Sequence, residues 1–280
     1  MTMERPDLLA YQRAEHQVAK RHDSVARLFE YLILVTALTS IAIARDTFVL
    51  AGTLASLLLT IAWQTAAFLG RRSHSIAERA RRAVILEAGL GISLTGKAYS
   101  DLFAAFTAKQ KQVERHGDQE FYASDQPKGP KRLAEILEES AFWSKHLFQA
   151  TARAAWWRLG VAGVISVTCL ALLPLLRETS VAVLWATAIC VVLTWLVTGS
   201  MGSGAVAYAL AAREVDDIEA RLAAAPATPE GILPILGDYN AVVQAAPTIP
   251  SAVYKRMRPR LNQLWTERHA SQSTFRSSDP

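Results

Sequence analysis

Cysteine is nearly missing from this chain: its 280 residues hold two, Cys169 and Cys190. Two thiols without metal-ligand spacing exclude a disulfide framework and a cysteine-built zinc module, and both read as small apolar filler inside hydrophobic stretches. No Gly-rich phosphate loop with its Lys-Ser/Thr, no His-Glu-x-x-His pair and no nucleophile elbow occurs. Strand patterning is almost absent. His16, His22, His74, His116 and His269 are scattered without ligand spacing, so neither a metal nor a cofactor is expected. Glu138, Glu139 and His146 fall near one face of a helical stretch. That grouping suits acid–base chemistry, but an amphipathic helix produces it by chance, and we read it as structural. The chain reads as a non-enzyme. Residues 1–27 are polar and lack the layout of a signal peptide, so insertion without cleavage is expected.

What the chain has in quantity is apolar length. Hydrophobic residues make up 51% of it and the mean hydropathy is +0.16, high for a soluble chain and low for a pure transporter. Two long apolar runs stand out, Leu28–Gly70 and Leu159–Ala212. One is interrupted by Arg45-Asp46, the other by Arg177-Glu178. A spanning helix needs roughly twenty apolar residues, so each run predicts a hairpin. The four spans are Leu28–Ala44, Thr47–Leu69, Leu159–Leu176 and Ser180–Met201. The fold class that follows is an all-α membrane protein: two transmembrane helical hairpins and a helical cytoplasmic body. Five parts result. They are an N-terminal helix (1–27), the first hairpin (28–70), a central insert (71–158), the second hairpin with its helical extension (159–212) and a C-terminal helical region (213–280).

Charge predicts the orientation. Of the 30 Lys and Arg, five precede Leu28, fifteen lie between Arg71 and Arg158, eight follow from Arg213, and each turn holds one. Positive residues stay on the cytoplasmic side, which puts both termini and the central insert inside, in a bacterial inner membrane. Only two tight turns reach the outer face, so an extracellular receptor is excluded.

Periodicity fills in the polar parts. Leu8, Leu9, Tyr11, Val18 and Val25 predict a helix that packs on its neighbours or lies on the membrane through Arg13, Lys20, Arg21 and Arg27. Ile76–His116 predicts one long helix or two, with Gly89, Gly91 and Gly96 as breaks and Gly117-Asp118 as the end. Residues 122–130 must form a loop, since two prolines and a glycine forbid regular structure. Arg132–Arg158 resumes as a helix into the third span, with Trp156 and Trp157 suited to the membrane interface. Beyond the fourth span a helix runs to Pro226 and Pro229. Leu233, Ile235, Leu236, Tyr239 and Val242 then repeat at helical spacing, and Pro247–Pro250 forms a turn before a basic helix, Ala252–Arg268. From Ser271 the composition is that of a frayed tail.

Small residues crowd the end of the fourth span (Gly199, Ser200, Gly202, Ser203, Gly204), and Gly160 and Gly163 lie in the third, which favours close helix approach and self-association. Thr36, Thr39, Ser40, Thr60, Gln64, Thr194 and Thr198 either line a weakly polar pore or bond back to their own helices. No intramembrane Asp, Glu or Lys marks an ion relay, which disfavours a coupled transporter. Arg71, Arg72, Arg79, Arg81 and Arg82 fit attraction to anionic lipids, worth roughly 1 kcal/mol per residue. Two further basic groups lie far from the spans: Lys128, Lys131 and Arg132 at the loop, and Tyr254, Lys255, Arg256, Arg258 and Arg260 near the C-terminus. Arginine forks beside aromatic faces such as Tyr122, Tyr254 and Trp265 suit a ligand with phosphates and bases. These eight residues form the candidate nucleotide or oligonucleotide site, with membrane lipids as the competing partner.

The order of parts, together with Phe121-Tyr-Ala-Ser124, Gly129-Pro-Lys-Arg-Leu133, Glu138-Glu-Ser-Ala-Phe-Trp143, Asp238-Tyr-Asn240, Ala246-Pro-Thr-Ile-Pro250 and Leu261-Asn-Gln-Leu-Trp265, resembles a known family. These are the four-transmembrane SMODS-associating effectors and related SLATT-type membrane effectors of bacterial antiphage defence, and the likeness covers most of residues 20–268. It implies a homo-oligomer, a tetramer among the counts allowed, that binds a nucleotide or oligonucleotide messenger and then opens or disrupts the inner membrane. It also implies a cognate nucleotidyltransferase as functional partner. The resemblance does not say which positions touch the ligand. A membrane scaffold anchoring a cytoplasmic protein is the alternative, and a transporter or permanent channel component a third reading.

Overall fold

The computed structural model describes residues 7–43, 46–116, 122, 124–173 and 179–277, and no strand occurs among them. Helices α1 (Leu8–Ile43) and α2 (Asp46–Leu90) form one antiparallel hairpin. The pairing is fixed by close approaches at Ser40 to Gly52 and at Asp23 to Gly70, and by His16 against Glu78. The second hairpin is α5 (Pro130–Leu172) with α6 (Thr179–Thr198) and α7 (Ser200–Ala224). The expected hairpin-turn residues Arg45, Arg177 and Glu178, and the helix stop at Gly117-Asp118, lie outside the described residues.

Four helical stretches are long and apolar enough to cross a membrane. None of the most apolar stretch of α2 is buried, and only 11% of that of α1, α5 and α6–α7. Leu50, Leu54, Leu57, Leu58 and Ile61 all face outward. Each such side chain left in water forgoes about 1.5–3 kcal/mol of burial, so this surface is apolar enough to face a membrane.

The polar ends of the helices are packed differently. A core joins Ile85 of α2, Leu133, Ile136, Leu137 and Phe148 of α5, and Val215, Ile218 and Leu222 of α7. The fourth wall of that core is α8 (Pro229–Ala245), through Ile232, Ile235, Leu236 and Tyr239. Pro229 at the first turn suits its fixed φ, and Thr228 caps the helix by accepting from the Gly231 N–H at 3.3 Å. Helix α9 (Ser251–Ser277) docks on α5 with Leu261 and Trp265 against Phe142 and Leu147. It runs past Ser271, where a frayed tail was expected.

The region expected as one or two helices after Ile76 is more broken than its composition suggests. Gly91 has φ +74° and ends α2, with the Ile92 N–H reaching back to the Leu86 carbonyl at 3.4 Å. Short α3 (Gly96–Ala105) and α4 (Gln110–Val113) follow. The second break has a long-range cause. Glu15 of α1, fully buried, accepts the Thr107 and Ala108 N–H groups at 2.9 Å each and the Thr107 hydroxyl at 2.7 Å. A charged acceptor from another helix outcompetes the helical ladder there. Gly89 matters for another reason: a Cβ there would lie 2.9 Å from the Leu133 Cα, so only glycine lets α2 and α5 approach this closely.

Candidate functional site

The two predicted basic groups attach to α5 at different levels. At its start, the Gly129 N–H donates to the Gly89 carbonyl at 2.7 Å, Lys128 lays its stem beside Gly91, and Lys131 is exposed. Arg132 is a brace rather than a free cation, because its Nη1 donates to the Gln126 carbonyl at 2.6 Å. The second group rides on α9, where Lys255, Arg256, Arg258 and Arg260 are all exposed and Tyr254 stands 6.3 Å from Trp143. From Lys131 to the α9 seat at Phe142 is about 16 Å along α5. The two basic groups are thus carried by different elements, the start of α5 and helix α9. Two of the expected aromatic faces are engaged elsewhere. Trp265 is buried 5.3 Å from Phe142, and Tyr122 packs against the main core.

Two members of the Glu138–Glu139–His146 grouping make contacts between helices and within α5. Glu138 pairs with Arg268 of α9 at 2.7 Å, and the His146 ring lies edge-on to Phe142 at 4.5 Å. Arg268 also pairs with Glu219 of α7, which receives Lys145 of α5 as well. Burial alone would raise the Glu219 carboxyl, but the hydrogen bonds from Lys145 and Arg268 hold it below the ordinary carboxylate range.

A denser polar centre sits where α1, α2, α5 and α8 meet. Arg81, expected among the lipid-facing arginines, points inward: its Nε is 2.9 Å from Glu78 Oε2, and its Nη1 donates to the Tyr239 hydroxyl at 3.2 Å. The guanidinium also lies over the Tyr239 ring, 5.0 Å from its centre. Tyr239 is fully buried; its hydroxyl donates to the Ser140 carbonyl at 3.0 Å and meets Ser144 Oγ at 2.8 Å. Glu78 Oε1 faces His16 Nε2 at 3.3 Å. Burial pushes the His16 imidazole down to about 4, against the pull of Glu78, so it is neutral at pH 7. Burial would raise the Glu78 carboxyl, yet the Arg81 guanidinium holds it below its ordinary value.

The scattered-histidine reading therefore fails for one pair. The hairpin sets the rings of His16 and His74 5.7 Å apart, and the ligand atoms of His16, His74 and Glu78 lie within 4.8 Å of one another. Only the four-residue step from His74 to Glu78 along one helix face was visible in sequence. Glu30 falls inside the predicted range Leu28–Ala44, is buried, and accepts from the Ser200 N–H at 2.6 Å. Helix α7 begins at that residue, after a single non-helical residue, Gly199 (φ −72°, ψ −177°). The predicted fourth span, Ser180–Met201, is thus interrupted near its end. Its hydroxyl-bearing neighbours behave as the back-bonding reading expects: Thr36, Thr39, Ser40, Thr60 and Thr198 each donate to a carbonyl four residues earlier. No family model, curated protein or solved structure matches the chain.

Proposed function

We propose that this protein is an oligomeric inner-membrane effector of a bacterial antiphage system. A nucleotide or oligonucleotide messenger binds its helical body on the cytoplasmic side and drives the spans to form a pore or disrupt the bilayer. The observation that carries the reading is helical continuity. Helices α1, α2 and α5 are unbroken over 36, 45 and 43 residues, so each passes from the packed polar body into an outward-facing apolar stretch. Movement in the body is transmitted to the spans without an intervening loop. The exposed cations of α9 supply a surface for phosphates, and α9 is itself seated on α5.

Energetics set the demand on the ligand. Moving a closed state from 99% to 1% takes roughly 5.5 kcal/mol of differential binding, which several sites in an oligomer can share. The placement of body and termini in the cytoplasm rests on the distribution of Lys and Arg.

The test is a thermal-shift screen of the detergent-purified chain against cyclic dinucleotides, cyclic trinucleotides and short DNA and RNA oligomers. Stabilisation by one class supports the reading and names the trigger, because a ligand that binds only the folded state raises the melting temperature. Silence across the panel, with the protein shown to be helical and monodisperse, overturns it in favour of a scaffold for a protein partner.

A further inference from the structure

We propose that His16, His74 and Glu78 form a binding site for a divalent transition-metal ion of the Zn2+ or Fe2+ class, joining the polar end of α1 to α2. The inference is independent of the effector reading.

His74 is held in one tautomer. Its Nε2 lies 3.3 Å from the Val243 carbonyl oxygen. A carbonyl only accepts, so Nε2 carries the proton and the lone pair is on Nδ1. That Nδ1 atom is shielded from solvent and has no hydrogen-bond partner. A buried acceptor left empty is costly, and a metal-ligating imidazole characteristically donates its other N–H to a backbone carbonyl, as here. The arrangement that leaves Nδ1 orphaned is the one that prepares it as a ligand.

Glu78 is prepared in the same way. Arg81 engages Oε2 at 2.9 Å and leaves Oε1 directed at His16 Nε2, 3.3 Å away. Two ligands at about 2.0–2.1 Å from a tetrahedral ion are separated by about 3.3–3.4 Å, so these two atoms already form one edge of the coordination figure. His74 supplies the third corner after a closure of the hairpin and a ring adjustment, since one of its ring nitrogens already lies within 4.8 Å of the other two ligand atoms.

Ligand chemistry selects the ion. Two imidazoles and one carboxylate suit Zn2+, Fe2+ or Co2+, whereas Ca2+ and Mg2+ demand a shell of oxygens. Three protein ligands leave at least one position open. The Arg81 guanidinium beside Glu78 already balances the carboxylate, so the incoming dication arrives without countercharge. An anion such as hydroxide or chloride in the open position offsets it. The ion ties α1 to α2 directly and, through the Val243 carbonyl, both to α8.

The experiment uses the full chain in detergent, stripped with EDTA and titrated with Co2+. The expected result is one saturating equivalent with visible d–d bands, displaced by Zn2+, and a rise in melting temperature. His74→Ala leaves the Glu78–Arg81 pair intact and should abolish the bands or weaken Co2+ binding at least about tenfold. His146→Ala, on α5, should leave them unchanged. His16→Asn serves as a second ligand variant, and circular dichroism verifies that each protein folds. The proposal is overturned if the native chain gives no saturable bands. It is equally overturned if the bands survive in folded His74→Ala and His16→Asn.

Discussion

Glu30 of α1 and Ser200 of α7 are joined at both ends of the carboxylate: one oxygen takes the Ser200 N–H at 2.6 Å, the other its hydroxyl at 2.5 Å. The acid from the first hairpin thereby caps a helix of the second. Gly199 makes room, since a Cβ at that residue would collide with the Glu30 carboxylate. Replacing Glu30 with Ala removes the acceptor of the first N–H of α7 at a part-buried position, which costs about 1 kcal/mol. A lower melting temperature in detergent, with helicity retained, is the expected outcome. Gly199→Ala should act in the same direction by displacing the carboxylate.

Glu15 performs a comparable task in the polar body. Its carboxylate accepts three hydrogen bonds from Thr107 and Ala108 while fully buried. Glu15→Ala should destabilise by about 3 kcal/mol or more, because hydrogen bonds to a charged group are worth about 1.5–3 kcal/mol each. Amide hydrogen exchange reads the effect locally: Thr107 and Ala108 lose protection first. Unchanged exchange at those two amides would show that the carboxylate does not hold them.

Acid should release α9. The Glu219 carboxyl is held below its ordinary value in the folded chain. A depressed carboxyl contributes stability that is complete above the unfolded pKa, about 4.3, and is lost as pH falls through the lower folded value. The Arg268 contact to Glu219 therefore weakens below about pH 4. Limited proteolysis should cut α9 increasingly as pH falls through that window. It should cut Arg268→Ala at neutral pH.

The effector reading makes its own demand on α9. Arg256→Glu with Arg258→Glu changes two exposed side chains that no core residue needs. Membrane insertion and melting temperature should be unchanged, within about 0.5 kcal/mol. Messenger-dependent toxicity on co-expression with a nucleotidyltransferase should be lost. A double variant that remains fully active removes the C-terminal site.

Which features could be read ahead of the structure follows from the range of the interactions that make them. The apolar stretches were legible because hydropathy is a property of consecutive residues: Leu50 to Ile61 announce themselves without a partner. The stop at Gly91 and the gap between Ala224 and Pro229 were legible for the same reason, glycine and proline being local punctuation. The break at Phe106–Lys109 was not, because its cause, Glu15, lies far away in sequence. Arg81 looked like its exposed neighbours Arg79 and Arg82, and only the packing of α8 turns it inward onto Tyr239. His16 and His74 became neighbours only when the hairpin closed. Charged side chains that reach between helices are the part of this fold that local pattern does not encode.

Unbroken helices also convert angle into distance. A segment of about twenty residues is some 30 Å long, so a tilt of about 10° at one end sweeps the other through about 5 Å, the width of a side chain. On the effector reading, helices α1, α2 and α5 carry that sweep along their apolar stretches without a break. Helix α7 does not, because Gly199 interposes a joint before α6. On that reading, three levers and one jointed helix make an uneven mechanism, with α6 coupled to the body less directly than α1, α2 and α5.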